Sequence, residues 1–171
     1  DDVTVLTTRD GLAGDEVASL LEEPDGLLVA TTEGLSRRRA DGRIEPVPVP
    51  GARTTRFRGL CRDRDGSLWV GSDEGLVRLK GGSSRFFGTA DGLSSERIHS
   101  LLADRHGNVW AATAGGVCRL TGDAVSCFVE PGPSRPGPAF PLLEDDAGGL
   151  WFGTAGGGLN RLRDTPFRVF G

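Results

Sequence analysis

Tyrosine is absent from this chain of 171 residues, lysine occurs once, histidine twice and cysteine three times. Each scarcity removes a class of chemistry. Without tyrosine, no enzyme reading built on a Tyr nucleophile survives. His99 falls on an expected inner strand and His106 at a turn tip, and no cysteine pair has zinc-ligand spacing, so no metal site and no cofactor are expected. The formal net charge is −4, which leaves no basic surplus for a phosphate backbone and argues against nucleic acid as a partner. The basic residues are 19 Arg and the single Lys80; their densest run, Arg37-Arg38-Arg39, is expected on an exposed strand and turn. No apolar run reaches the about 18 residues of a membrane span, and Asp1-Asp2-Val3 has no leader pattern, so this segment is not expected to enter a membrane.

What the chain does have is a phrase that returns four times: an acidic residue, two variable residues, Gly, two more, then Trp or a substitute. It runs from Glu23 through Gly26 to Val29, from Asp63 through Gly66 to Trp69, from Asp104 through Gly107 to Trp110, and from Asp145 through Gly148 to Trp151. The glycines lie 40, 41 and 41 residues apart. That period, with turn signals and short β-type runs inside each unit, predicts an all-β fold: a β-propeller with four blades of four antiparallel strands. The blades are expected at about 11–48, 51–88, 92–129 and 134–171, preceded by a leading outer strand at 3–7.

Apolar doublets end each innermost strand at Leu21, Cys61, Leu102 and Leu143, as expected where both sheet faces are covered by neighbouring blades. The acid and Gly then make a tight turn. The Trp is expected to wedge between blades; in the first blade Val29 replaces it, which predicts looser packing there. Outer strands are expected at Ile44 to Val47, Ser84 to Phe87, Ala124 to Val129 and Phe167 to Phe170. The leading strand is then one too many for a closed four-bladed ring. Either the four blades are part of a larger ring, or that strand pairs with a second copy of the chain. The Pro/Gly-rich stretch 130–138 keeps the repeat phase and reads as a stiff interblade loop.

Most chemistry-like runs have a simpler account. The run from Gly153 to Gly158 lacks the Lys and the helix of a phosphate loop and reads as a hairpin. Glu144-Asp145-Asp146 places Asp145 at the repeated turn position, so turn capping is expected there rather than calcium or paired catalytic carboxylates. Cys61 is expected to be packed and inert. If Leu120 faces Val125, Cys118 faces Cys127 across two strands; a disulfide and two reduced thiols both fit that register. If a small ligand binds, the residues expected to hold it lie where the inner strands begin: Glu16, Arg56 and Arg97 at equivalent positions, with Arg58 and His99 two residues further on. Converging arginines suit a small anionic or sugar-acid ligand. The alternative is that they pair with Asp15, Glu16 or Glu96 and stay solvated.

The segments Asp91 to Asp104, running on to Gly107 and Trp110, and Asp145 to Leu159 resemble the two-component regulator propeller repeat. The resemblance runs along almost the whole chain and is weakest in blade one. It implies a sensor segment of a bacterial hybrid histidine kinase or diguanylate cyclase, on the periplasmic or extracellular side, joined to further blades or to a second copy. It also implies a non-enzymatic role with no catalytic residues, the output lying elsewhere in the parent protein. Two alternatives remain: a protein–protein assembly module, and a lyase similar to the streptogramin lyases, in which His99 would serve as the acid/base.

Overall fold

The computed structural model describes residues 3–128 and 139–162. Their strands form four antiparallel sheets. Blade one holds β1 (Val17–Glu23), β2 (Gly26–Thr31), β3 (Gly34–Arg39) and β4 (Ile44–Pro46); blade two holds β5 (Phe57–Arg62), β6 (Leu68–Ser72), β7 (Gly75–Lys80) and β8 (Ser83–Phe87). Blade three holds β9 (Ile98–Ala103), β10 (Val109–Thr113), β11 (Gly116–Thr121) and β12 (Ala124–Phe128), and blade four holds β13 (Ala139–Glu144), β14 (Leu150–Thr154) and β15 (Gly158–Leu162). Consecutive strands pair in every blade. The expected outer strand at Phe167 to Phe170 and the loop 130–138 lie outside the described residues. Residues 3–7 are not in a strand; extended backbone becomes a strand only beside a hydrogen-bonding neighbour, and no sheet among the described residues takes them in.

The recurring acid builds its own turn. Asp104 Oδ1 accepts the backbone N–H groups of His106 and Asn108 at 2.9 and 2.8 Å. Asp63 and Asp145 do the same for Asp65 and Ser67 and for Ala147 and Gly149. Gly66, Gly107 and Gly148 take φ of 84°, 88° and 79°, a region costly for residues with a Cβ. The second carboxylate oxygen holds the tryptophan: Nε1 of Trp69, Trp110 and Trp151 donates to Oδ2 of Asp63, Asp104 and Asp145 at 2.7, 2.8 and 2.8 Å. Trp69 and Trp110 then face the next blade, Trp69 packing with Ile98 and Val109 and Trp110 with Leu150 and Phe152.

Blade one departs from this scheme by one residue. Glu23 pairs directly with Gly26, so the turn is shorter and Leu28, not Val29, stands opposite Leu21. Trp69 stands in the same way opposite Cys61, and Trp110 opposite Leu102. Alignment on the glycines hides this shift. Leu28 is completely buried, so the looser packing expected of this blade is not found at the position. With no indole to bind, Glu23 accepts Nε and Nη2 of Arg37 at 3.1 and 2.9 Å and also pairs with Arg62 of blade two.

The inner strands pack in series, β1 on β5, β5 on β9 and β9 on β13, and this packing is not repeated between β13 and β1. Among the described residues the arc therefore has two uncovered sides. Leu20 is 58% exposed, whereas Leu60, its counterpart in blade two, is 6% exposed. Leu159 is 71% exposed, whereas Leu76, at the matching position of β7, is fully buried. The same residue type is buried inside the arc and open at its ends, as in part of a larger ring.

Candidate functional site

Each inner strand carries a β-bulge at its start. Phe57 pairs with Ser72 and Gly59 with Gly71, leaving Arg58 over; Ile98 pairs with Thr113 and Ser100 with Ala112, leaving His99 over. Ala18 occupies the corresponding place in β1, and β13 shifts register between Ala139 and Leu142. A bulge turns the extra side chain out of the pleat and re-aims it. Arg58 and His99 thus owe their direction to a local irregularity that recurs with the repeat. Close approach of the neighbouring blade helps to hold this region: a Cβ on Gly59 would lie 3.1 Å from the Leu101 backbone nitrogen, and one on Gly71 would lie 2.6 Å from Ile98 Cγ2.

The centre of the site is Asp73, in the turn between β6 and β7. Its carboxylate accepts Nε and Nη2 of Arg58 at 3.2 and 3.4 Å and Nε of Arg56 at 3.3 Å. Arg58 Nη1 also lies 3.8 Å from Glu16 Oε1, and Glu16 Oε2 accepts the Thr32 hydroxyl at 3.4 Å. Burial pushes the Asp73 carboxyl up, but the hydrogen bond and charge of Arg58, then Arg56 and Arg97, outweigh it and hold the group below the ordinary carboxylate range. Arg97 acts on this group through space, on Asp73 and on His99. The imidazole of His99 lies 4.7 Å, centroid to centroid, from the ring of Phe140 in β13. Its Nε2 is buried without a hydrogen-bond partner among the described residues. Burial, then the charges of Arg97 and Arg58, push its pKa below 6.5, with Asp73 opposing, so the ring is neutral at pH 7.

All five expected residues, Glu16, Arg56, Arg58, Arg97 and His99, therefore belong to one neighbourhood. Among the partners expected for the arginines, only Glu16 takes part: Asp15 accepts the Thr8 backbone N–H at 2.7 Å, and Glu96 lies 3.6 Å from Arg53. Asp73 is the residue that sequence reasoning passed over. The repeat held the signal, because Thr32, Asp73 and Ala114 are equivalent, each donating its N–H to the carbonyl of Glu16, Arg56 or Arg97. Only blade two has an acid at that position among those three.

Elsewhere, Cys118 pairs with Cys127 across β11 and β12, and their sulfurs are bonded. Cys61 is buried and free; burial, then the charge of Asp63, push its thiol up to about 12, where it is inert as a nucleophile. Asp145 holds Trp151 and Arg161 and is thereby a turn residue. Among the described residues no group of three His, Cys, Asp or Glu side chains is placed to hold a metal ion.

Two stretches, residues 51–74 and 92–115, match the sequence model of the two component regulator propeller family. No curated protein matches the sequence. Among solved structures, the extracellular domain of a hybrid two component system from B. thetaiotaomicron superposes with a TM-score of 0.76 at 20% identity, covering 92% of this chain and 23% of that one. The extracellular domain of a one component system from the same organism gives 0.74 at 21% identity, covering 92% and 22%. Virginiamycin B lyase from Staphylococcus aureus gives 0.65 at 17% identity, covering 88% and 57%. At these identities the likeness shows the fold, and the chain spans less than a quarter of the length of the two extracellular domains.

Proposed function

We propose that this chain, which carries two component regulator propeller repeats, is the ligand-recognising part of a bacterial signalling protein and is not itself an enzyme. The observation that carries the reading is the Asp73 group. Three guanidinium groups face two carboxylates with a neutral imidazole beside them, which leaves a net positive charge at the start of neighbouring inner strands. Such a site suits a small anion, and a carbohydrate acid in particular, because Arg offers forked donors to a carboxylate while ring hydroxyls reach His99. Work on the periplasmic or extracellular side is supported by the extracellular domains with which the fold is shared and by the bonded cysteines, which suit an oxidising compartment.

Calorimetric titration with uronic acids and their neutral parent sugars tests this reading. The acid is expected to bind and the neutral sugar not to. Arg56→Gln and Arg97→Gln should each weaken binding at least about tenfold, roughly 1.4 kcal/mol, with little change in melting temperature. Absence of binding by any acid, or affinity unaltered in both variants, would overturn it. The exposed Leu20, Leu143 and Leu159 favour a second reading, an assembly module. Under that reading, polar substitution at these leucines alters the solution mass while the arginine variants remain without phenotype.

A further inference from the structure

A short segment enters blades one and three in the same way. Thr7 to Leu12 and Gly88 to Leu93 each end in Asp-Gly-Leu. The Asp carboxylate accepts the N–H at the head of the segment, Thr7 for Asp10 and Gly88 for Asp91, at 2.9 Å in both. One turn of 3-10 helix forms at Thr8–Asp10 and at Thr89–Asp91, and Gly11 and Gly92 reverse the chain at φ of 108° and 106°. Leu12 and Leu93 are thereby driven inward, and Leu93 packs with Leu76, Phe87 and Ile98 in the core between blades two and three.

The entry to blade two keeps the chain-reversing glycine, Gly51 at φ of 84°, but loses the other features. Its segment reads Val49-Pro50-Gly51-Ala52. Proline has no carboxylate to cap the turn, no 3-10 helix forms, and Ala52 stands where the others carry leucine. Val47 sits opposite Leu35, donating its N–H to the Leu35 carbonyl, where the third blade's entry has Phe87 opposite Leu76. Smaller side chains at both places leave an open groove of about 500 Å³ between blades one and two. Leu35, Val47, Ala52 and Phe57 line it, with Glu33 and Arg53 also at its wall. Arg53 is held in place by the Phe86 ring, 3.9 Å from its Cζ, and by Glu96 at 3.6 Å.

We infer that this groove binds a free α-amino acid with an aliphatic or aromatic side chain, at a site separate from the Asp73 group. The side chain takes the room that leucine fills at the other entries. One acid and one base beside apolar walls match the ammonium and carboxylate of a zwitterion: Glu33 faces the first, and Arg53, already oriented, faces the second. A simple acid would meet Glu33, and a simple amine would meet Arg53.

The test is calorimetric titration of the chain with leucine, phenylalanine and tryptophan, and with the decarboxylated and deaminated forms of leucine, isopentylamine and 4-methylpentanoate. At least one amino acid is expected to bind. For leucine, both truncated forms should be weaker by at least tenfold. Ala52→Leu should reduce amino-acid binding at least tenfold with an unchanged or higher melting temperature, which separates occlusion from misfolding. Arg53→Gln should weaken the amino acid tenfold or more while the amine binds no more weakly than to the parent, whereas Arg56→Gln should leave amino-acid binding intact. No saturable heat with any of the three amino acids, equal affinity in Ala52→Leu, or an acid that binds as tightly as its amino acid would overturn the inference.

Discussion

The Trp110 indole N–H donates to Asp104 Oδ2 at 2.8 Å, while Oδ1 of the same carboxylate takes the backbone N–H groups that shape the turn. One side chain orders a loop and orients a ring that the next blade packs against.

Trp110→Ala is therefore expected to lower stability by about 3–5 kcal/mol, through lost transfer energy and the cavity left between blades three and four. Trp110→Phe keeps most of the ring and loses the hydrogen bond, at a cost of about 1–2 kcal/mol. Urea midpoints read both. An alanine variant as stable as the parent would exclude the interblade packing.

Acid should loosen these turns. The Trp151 indole N–H, the Gly149 N–H and Arg161 hold the Asp145 carboxyl down at about 2, with burial opposing, against about 3.9 in an unfolded chain. A depressed carboxyl contributes stability that is complete above the unfolded pKa and is lost as pH falls through the folded one. Between pH 4 and 2 the melting temperature of the parent should therefore fall more steeply than that of Asp145→Asn. Parallel curves would contradict the assignment.

His99 gives a direct reading of the candidate site. Burial and the charges of Arg97 and Arg58 lower its pKa, so its stabilising contribution is complete above about pH 6.5 and declines as pH falls below that. In a proton NMR titration the ring should titrate below 6.5, and Arg97→Gln should move the midpoint upward. A midpoint indifferent to Arg97 would place the two groups farther apart than described here.

The bridge between Cys118 and Cys127 spans nine positions of sequence. Thiol titration of denatured protein should find Cys61 alone before reduction and all three cysteines after it. Loss of the bridge should cost about 2–3 kcal/mol by chain entropy. Three reactive thiols in oxidised, unfolded protein would show that the bond does not form.

The sequence made the blades legible because the lock that closes each one is local: acid, glycine and tryptophan lie within seven residues and recur in phase. It also brought Arg56, Arg58, Arg97 and His99 together, since equivalence in a repeat puts residues at the same height on neighbouring strands. Two things escaped. The shortened turn at Glu23 moves every later residue of β2 by one, so counting from Gly26 selects Val29 when the chain selects Leu28. Asp73 looked like one more polar turn residue, because its importance comes from arginines 15 and 17 positions away rather than from anything beside it. Local patterns survive projection onto a sequence; a charge partner across a hairpin does so only when its repeat mates are compared with it.

In blades two, three and four, the acid of the recurring turn is satisfied by backbone and indole groups of its own blade. The turn acid of such a copy needs nothing from the next blade, and the charges that do cross the seams lie elsewhere, Asp123 on Arg78 and Arg85 and Glu144 on Arg105. In blade one the turn acid itself crosses the seam: Glu23 reaches forward to Arg62, so replacing blade two by a copy without that arginine would remove a partner from the buried turn carboxylate.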